Sequence, residues 1–114
     1  MRIVEKPWGH EEIWAQCDEY VGKLLFIKAG CRLSRQYHIE KRESVRLLSG
    51  QMTLECGLPD DPNSYYRDVS SGECFDIPPG LVHRFCAVTD VVLIEVSTNH
   101  LDDVARIEDD HGRA

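Results

Sequence analysis

Short apolar runs alternate with turn-forming residues along most of the chain, and this pattern constrains the fold more than any other feature of the sequence. The runs lie at 21–28, 44–48, 51–56, 65–69, 74–77, 82–88 and 91–97, and the residues between them are mostly Gly, Pro, Asp, Asn and Ser. Each run has the length of a β-strand and is too short for a typical helix. Many short strands at close spacing predict an all-β sandwich or small barrel.

Two of the turns predict local strand pairs. The Ser-Gly turn inside 44–56 predicts a hairpin, and the turn near Thr89 and Asp90 predicts a second pair within 82–97. The segment 57–64 is a loop by composition. Apolar residues in 100–108 follow a weak helical spacing, which predicts a short helical or irregular tail.

Composition narrows the class of protein. The chain has 114 residues, 42 % of them hydrophobic, and a net charge of −7. This length predicts a single domain over 1–114, and the acidic balance argues against nucleic acid as a partner. No apolar run approaches the roughly 20 residues that span a bilayer, and the N-terminus lacks an apolar signal-peptide core. We therefore expect a cytoplasmic protein that does not bind membranes.

The cysteines and tryptophans carry weaker signals. Five cysteines form no CxxC pair, so we expect reduced thiols that are mostly small buried hydrophobes. Both tryptophans, Trp8 and Trp14, lie near the N-terminus, where we expect them to cover one end of a barrel.

Four polar residues in two segments can together form a metal site. Gln36 and His38 are two apart on a predicted strand, so their side chains leave the same face. Glu43 follows a charged corner, and His83 follows a Pro-Pro-Gly turn. Two imidazoles, a carboxylate and an amide oxygen suit Zn, Mn, Fe, Co or Ni. The same residues are also compatible with hydrogen-bonded histidines and a surface carboxylate, so spacing alone leaves both interpretations open.

These segments resemble the two sequence motifs of the cupin superfamily. The first motif corresponds to Gly30, the pair Gln36 and His38, Glu43 and Gly50. The second motif corresponds to Gly72, the Pro-x-Gly at 78–80 and His83. Every spacing fits. Gln36 replaces the first histidine of the pattern, and Ala87 replaces its final asparagine.

The chain is also similar to the type II phosphomannose isomerases, which include the C-terminal domain of bifunctional mannose-1-phosphate guanylyltransferases. The shared features are the Pro-Trp-Gly at 7–9, the Leu-Ser-x-Gln-x-His run at 33–38, the His-Arg pair at 83–84 and the acidic tail at 103–113. The resemblance implies a small antiparallel cupin β-barrel, or jelly roll, that holds a divalent metal ion on Gln36, His38, Glu43 and His83. No Gly-rich nucleotide loop precedes the barrel, so we expect no nucleotidyl transfer.

The resemblance implies a metal-dependent aldose–ketose isomerase of the mannose-6-phosphate isomerase type, with a small sugar or sugar phosphate as its ligand. A divalent ion suits this chemistry because it polarises a carbonyl. Arg106 matches a tail arginine of the family, so it is our candidate anchor for the substrate phosphate, although an ion pair with a nearby aspartate is an equal alternative. The general base stays open between metal-bound hydroxide, His100 and His111.

Two other functions are compatible with the sequence. One is a stand-alone metal-binding cupin that binds a carbohydrate or metabolite without isomerising it, and the less favoured one is a metal-dependent oxygenase. The family also implies a homodimer in which the N-terminal strand of one copy closes the barrel of the other.

Overall fold

Two antiparallel β-sheets pack face to face and enclose the interior of the protein. The structure is a computed structural model that describes residues 1–113. Its strands are β1 (Arg2–Lys6), β2 (Gly9–Gln16), β3 (Val21–Ile27), β4 (Arg35–Tyr37), β5 (Glu43–Ser49), β6 (Met52–Cys56), β7 (Tyr65–Val69), β8 (Cys74–Ile77), β9 (His83–Ala87), β10 (Val91–Ser97) and β11 (Ala105–Glu108). The first sheet has the order β1-β2-β3-β10-β5-β8, and the second has the order β11-β4-β9-β6-β7. The predicted all-β jelly-roll class is confirmed, and Ala114 lies outside the described residues.

Both predicted local strand pairs are wrong, although the strands themselves form. β5 pairs with β10 and β8, whereas β6 pairs with β9 and β7. The turn at Gly50, with φ of 95°, therefore carries the chain from one sheet to the other. The turn near Thr89 and Asp90 also joins the two sheets, because β9 belongs to the second sheet and β10 to the first. A tight turn fixes where the chain reverses, but burial of each strand's apolar face selects the sheet that it joins.

The C-terminal tail contains a strand where the sequence predicted a helix or an irregular segment. β11 pairs with β4, and Arg106 lies opposite Gln36 in the register. The helical spacing of three apolar residues was too weak to outweigh this pairing, which covers an edge of β4 that would otherwise expose unpaired N–H and C=O groups.

The N-terminal segment forms two strands, and its tryptophans have different environments. Trp8 is 2 % exposed and belongs to the apolar core, whereas Trp14 lies half-exposed on β2. The expectation that both cover a barrel end is therefore wrong. Trp8 lies in the turn between the paired strands β1 and β2.

The barrel interior changes from apolar to polar along its length. On β10 the inward side chains are first Val91 and Leu93, and then Glu95 and Ser97, all of them buried. β5 repeats the change, since Glu43 opens a strand whose later inward residues are apolar. Buried charges need partners, so the polar end is where a site can form.

The five cysteines are free thiols, as expected, but they are not mostly buried. Cys56 is buried, Cys17 and Cys74 are exposed, and Cys31 and Cys86 are intermediate. Within residues 1–113, no helix has the length and hydrophobicity required to cross a membrane.

Candidate metal centre

Three of the four predicted ligands converge at the polar end of the barrel. His38 follows β4, Glu43 opens β5 and His83 opens β9. Oε1 of Glu43 lies 3.6 Å from Nε2 of each histidine, and the three ligand atoms lie within 4.8 Å of one another. Donor atoms that share one ion at about 2.1 Å are roughly 3–4 Å apart. All three side chains are buried, so these residues can hold a divalent ion.

Backbone carbonyls orient both histidines. Nδ1 of His38 lies 2.6 Å from the main-chain oxygen of Asp103, and Nδ1 of His83 lies 2.9 Å from that of Leu81. A carbonyl oxygen only accepts, so each Nδ1 carries a proton, and each Nε2 is the ring nitrogen that faces Glu43 and can bind a metal ion once it is unprotonated. Burial lowers the pKa of His83 below its ordinary value, which favours the neutral ring that binds metals.

Glu43 belongs to a buried chain of charges. Burial opposes its ionisation, but the hydrogen bond with His38 and the charge of Lys41 hold its pKa well below its usual range. Nζ of Lys41 lies 3.1 Å from Glu43 and 3.3 Å from Glu95. Burial and the charge of Glu43 raise the pKa of Glu95 to about 8. The ionised Glu43 is the form that a cation requires.

Gln36, the fourth predicted ligand, lies beside the three-residue cluster. In the second sheet it is opposite His83 on β9 and opposite Arg106 on β11. Directly opposed residues share a sheet face, so the three side chains form one row. The amide nitrogen of Gln36 donates to Oγ of Ser34 at 3.0 Å, so its amide oxygen is the atom that can accept a hydrogen bond or bind an ion.

Asp103 supports the segment between two of the ligands. Its carboxylate accepts hydrogen bonds from the backbone N–H groups of Ile39, Glu40 and Lys41, at 2.9, 2.7 and 2.9 Å. These three bonds lower the pKa of Asp103 to about 2. From the sequence, Asp103 was a member of the family tail and a possible ion-pair partner of Arg106, and its contact with the ligand segment was not predicted.

A cavity of about 200 Å³ extends from the cluster into the polar end of the barrel. Its charged wall includes Glu11, Lys23, Lys41, Glu95, Asp102, Arg106 and Arg113. Nζ of Lys23 lies 3.3 Å from Oε1 of Glu11, and both side chains are buried. Sequence reasoning missed this pair, although charged residues at inward positions of apolar strands are a detectable signal.

The two histidines named from the sequence as candidate bases lie outside the cavity. Neither His100 nor His111 is among the residues that line this cavity in the described part of the chain. Nδ1 of His100 instead lies 2.8 Å from Oγ1 of Thr98, and its Nε2 lies 3.3 Å from Glu40.

Arg84 lies on the opposite side of the second sheet from His83 and has a structural environment. It is 1 % exposed, donates to the main-chain oxygen of Leu33 at 2.9 Å, and pairs with Asp110 at 2.8 Å and Glu108 at 3.5 Å. The His-Arg pair thus joins a site residue to an arginine that holds the acidic tail against the sheet.

Sequence comparisons identify relatives of this chain. The family model described as "Mannose-6-phosphate isomerase C-terminal" matches residues 1–109. The chain is 30 % identical over 115 residues to the alginate biosynthesis protein AlgA of Pseudomonas aeruginosa, and 26 % identical over 114 residues to a mannose-1-phosphate guanylyltransferase of Salmonella muenchen. Each match covers 96 % of this chain but 23 % of the relative, so the chain spans about a quarter of their length.

Solved structures with low sequence identity share the fold. The capsular polysaccharide assembling protein CapF of Staphylococcus aureus matches with a TM-score of 0.80 at 21 % identity, over 94 % of this chain and 31 % of that one. KdgF from Halomonas sp. matches with a TM-score of 0.74 at 16 % identity, over 90 % of this chain and 89 % of that one. The fold is thus that of the cupins. Because the family model matches nearly the whole chain, the chain belongs to the mannose-6-phosphate isomerase C-terminal family.

Proposed function

We propose that this protein is a metal-dependent aldose–ketose isomerase that acts on a sugar phosphate, similar to mannose-6-phosphate isomerase. The convergence of the buried side chains of His38, Glu43 and His83 at one cavity is the observation that carries this proposal. Gln36 supplies the fourth ligand through its amide oxygen. Zn, Mn, Fe, Co and Ni all suit this set of nitrogen and oxygen donors. Such an ion, when bound, polarises a carbonyl and stabilises the negative charge that develops on its oxygen.

Arg106 is the residue that we propose binds the phosphate. It lines the cavity and lies one strand away from Gln36, in the same row as His83. A guanidinium group matches the geometry of a phosphate because it donates two parallel hydrogen bonds. This position would hold the phosphate at one end of the cavity and direct the sugar towards the ligand cluster.

Glu11 is the residue that we propose moves the proton between the two sugar carbons. Isomerisation needs a base in the cavity that is not occupied as a metal ligand. Glu11 lines the cavity, and Lys23 is its ion-pair partner. Asp103 is less suited to this task because three backbone N–H groups already occupy its carboxylate.

Metal analysis of protein purified without an affinity tag tests the site. We expect a stoichiometric divalent ion in the wild type and none in the His38→Ala, His83→Ala double variant. The matched control is His10→Ala, His100→Ala, which removes two imidazoles outside the cavity and should retain the ion. Equal metal content in all three proteins would overturn the assigned ligands.

A coupled assay that interconverts mannose 6-phosphate and fructose 6-phosphate, with Zn or Mn added, tests the reaction. We expect turnover in the wild type and at least a hundredfold loss in Glu11→Gln, with metal content unchanged. Metal and sugar binding without turnover would instead favour a cupin that only binds its ligand. Oxygen uptake in the presence of Fe would favour an oxygenase.

A further inference from the structure

The end of the acidic tail forms a turn that ties an arginine to a carboxylate. The carboxylate of Asp109 accepts hydrogen bonds from the backbone N–H of Arg113 at 2.6 Å, from its Nε at 2.9 Å and from its Nη2 at 3.1 Å. The side-chain hydrogen bonds from Arg113 hold the pKa of Asp109 well below its usual range. Gly112, with φ of +71°, lies inside this turn. One edge of the Arg113 guanidinium therefore has a fixed partner.

The next aspartate attaches the same turn to the second sheet. Asp110 accepts hydrogen bonds from Nη2 of Arg84 at 2.8 Å and from Nη2 of Arg32 at 3.0 Å. Arg84 is buried, on the side of the second sheet that faces away from the metal centre. Asp109 thus holds Arg113, while Asp110 holds the turn against the sheet. The position of Arg113 is set before any ligand binds.

The guanidinium of Arg113 lies between Asp109 and the cavity of the metal centre. Within residues 1–113, Arg113 lines that cavity and Asp109 does not. The side chain of Asp109 is 3 % exposed, whereas that of Arg113 is 23 % exposed. A guanidinium has five N–H donors, and Asp109 accepts from the edge formed by Nε and Nη2. The edge formed by Nη1 and Nη2 is then the one through which Arg113 can bind a ligand.

The tail supplies two arginines to the cavity wall. Arg106 and Arg113 both line the cavity, whose volume of about 200 Å³ suits one small ligand. A phosphate monoester carries a charge of about −1.5 to −2 at pH 7 and three acceptor oxygens, which is more than one guanidinium can match. Two guanidinium groups that each donate a pair of hydrogen bonds complement it. The tail wall thus has the chemistry of a phosphate site with two arginines.

We propose that Arg113 is a second phosphate-binding residue, that Asp109 positions it, and that the pair makes the cavity selective for phosphorylated sugars. This inference rests on the proposed function, which places the phosphate at Arg106. The phosphate bridges the guanidinium groups of Arg106 and Arg113, and the sugar extends towards the ligand cluster. A free sugar offers neutral hydroxyl groups instead, and their hydrogen bonds with a guanidinium are weaker than those of a phosphate.

Calorimetric titration of the zinc-loaded protein with mannose 6-phosphate, mannose and inorganic phosphate tests the inference without requiring turnover. We expect Arg113→Met to weaken the binding of both phosphate compounds about tenfold to a hundredfold, and that of mannose less than about twofold. Arg113→Lys keeps the charge but loses the two-donor edge, so its affinity should lie between those of wild type and Arg113→Met. Arg32→Met is the matched control, because Arg32 contacts the same turn but does not line the cavity. It should leave all three affinities unchanged.

Asp109→Asn tests the positioning role. We expect it to weaken mannose 6-phosphate binding about threefold to tenfold in the wild type but to add no loss in Arg113→Met, because Asp109 acts through the arginine. Equal losses in both backgrounds would show that Asp109 only stabilises the fold. Circular dichroism and metal content should be the same in all variants.

The outcomes separate this inference from the proposed reaction. A protein that binds mannose 6-phosphate through Arg113 but does not isomerise it would support the inference and contradict the reaction. A protein that isomerises the sugar phosphate and binds it equally well as Arg113→Met would overturn the inference alone. Equal losses in Arg113→Met and Arg32→Met would also overturn it. A wild type that binds neither mannose 6-phosphate nor inorganic phosphate would overturn both.

Discussion

Nδ1 of His38 donates a hydrogen bond of 2.6 Å to the main-chain oxygen of Asp103, a residue 65 positions later in the chain. The carboxylate of the same aspartate accepts three backbone N–H groups from the segment that follows His38. One residue of the tail therefore fixes both the ring of a ligand and the corner that leads from it to Glu43. This dual contact explains why a tail far from the cupin motifs contributes to the site.

Asp103→Ala should weaken metal binding about tenfold to a hundredfold, because groups that orient a metal ligand contribute that much to affinity. Calorimetric titration of the metal-free protein with Zn measures the effect. Asp102→Ala removes the neighbouring carboxylate, which takes no part in those three hydrogen bonds, and is the matched control. An equal loss of affinity in both variants would contradict the positioning role of Asp103.

The contribution of Asp103 to stability should depend on pH. Its pKa in the folded protein is about 2, below its ordinary 3.8, so ionisation favours the folded state. The contribution is complete above about pH 4 and disappears as the pH falls towards about 2. The difference in unfolding free energy between wild type and Asp103→Asn should therefore shrink over that interval in metal-free urea titrations. A difference that stays constant would show that the charge of the carboxylate is not the stabilising feature.

We expect Arg84 to stabilise the fold and Arg106 to bind the substrate. Arg84→Met removes the donor to Leu33 and two ion pairs, so we expect about 1–3 kcal/mol less unfolding free energy and unchanged metal affinity. Arg106→Met should raise KM for the sugar phosphate about tenfold or more while metal content stays constant. Urea unfolding and steady-state kinetics on both variants distinguish the two arginines. A larger KM effect at Arg84 would reverse the assignment.

Gly9 should tolerate no side chain. Its φ is +152°, and a Cβ atom there would lie 1.8 Å from the main-chain oxygen of Phe26. We expect Gly9→Ala to reduce the unfolding free energy by about 3 kcal/mol or more. Gly30→Ala is the control, because Gly30 also has a positive φ of +79° but no atom within 4 Å of an added Cβ, so only about 1 kcal/mol of backbone strain is expected. An equal loss of unfolding free energy in both variants would show that the close approach to Phe26 does not contribute to the effect.

The sequence predicts some strands accurately, but it does not predict how they pair. The strand at 21–28 was predicted nearly to its ends because its apolar run is long and bounded by turn residues. The pairing of 44–48 with 51–56 was wrong, because β5 and β6 join different sheets. The tail strand was missed since it pairs with β4, far away in the sequence, and carries little apolar character of its own.

Residue types and their spacing in the sequence determined the strand-rich class and the candidates His38, Glu43 and His83, because motif spacing in a jelly roll reflects the lengths of its strands and corners. Only the tertiary structure decided that these side chains meet, that Lys41 and Glu95 extend the site as buried charges, and that Asp103 orients His38. The reason is that such contacts join residues on different strands. Their distances depend on which sheet each strand enters, and burial of the whole interior determines that choice.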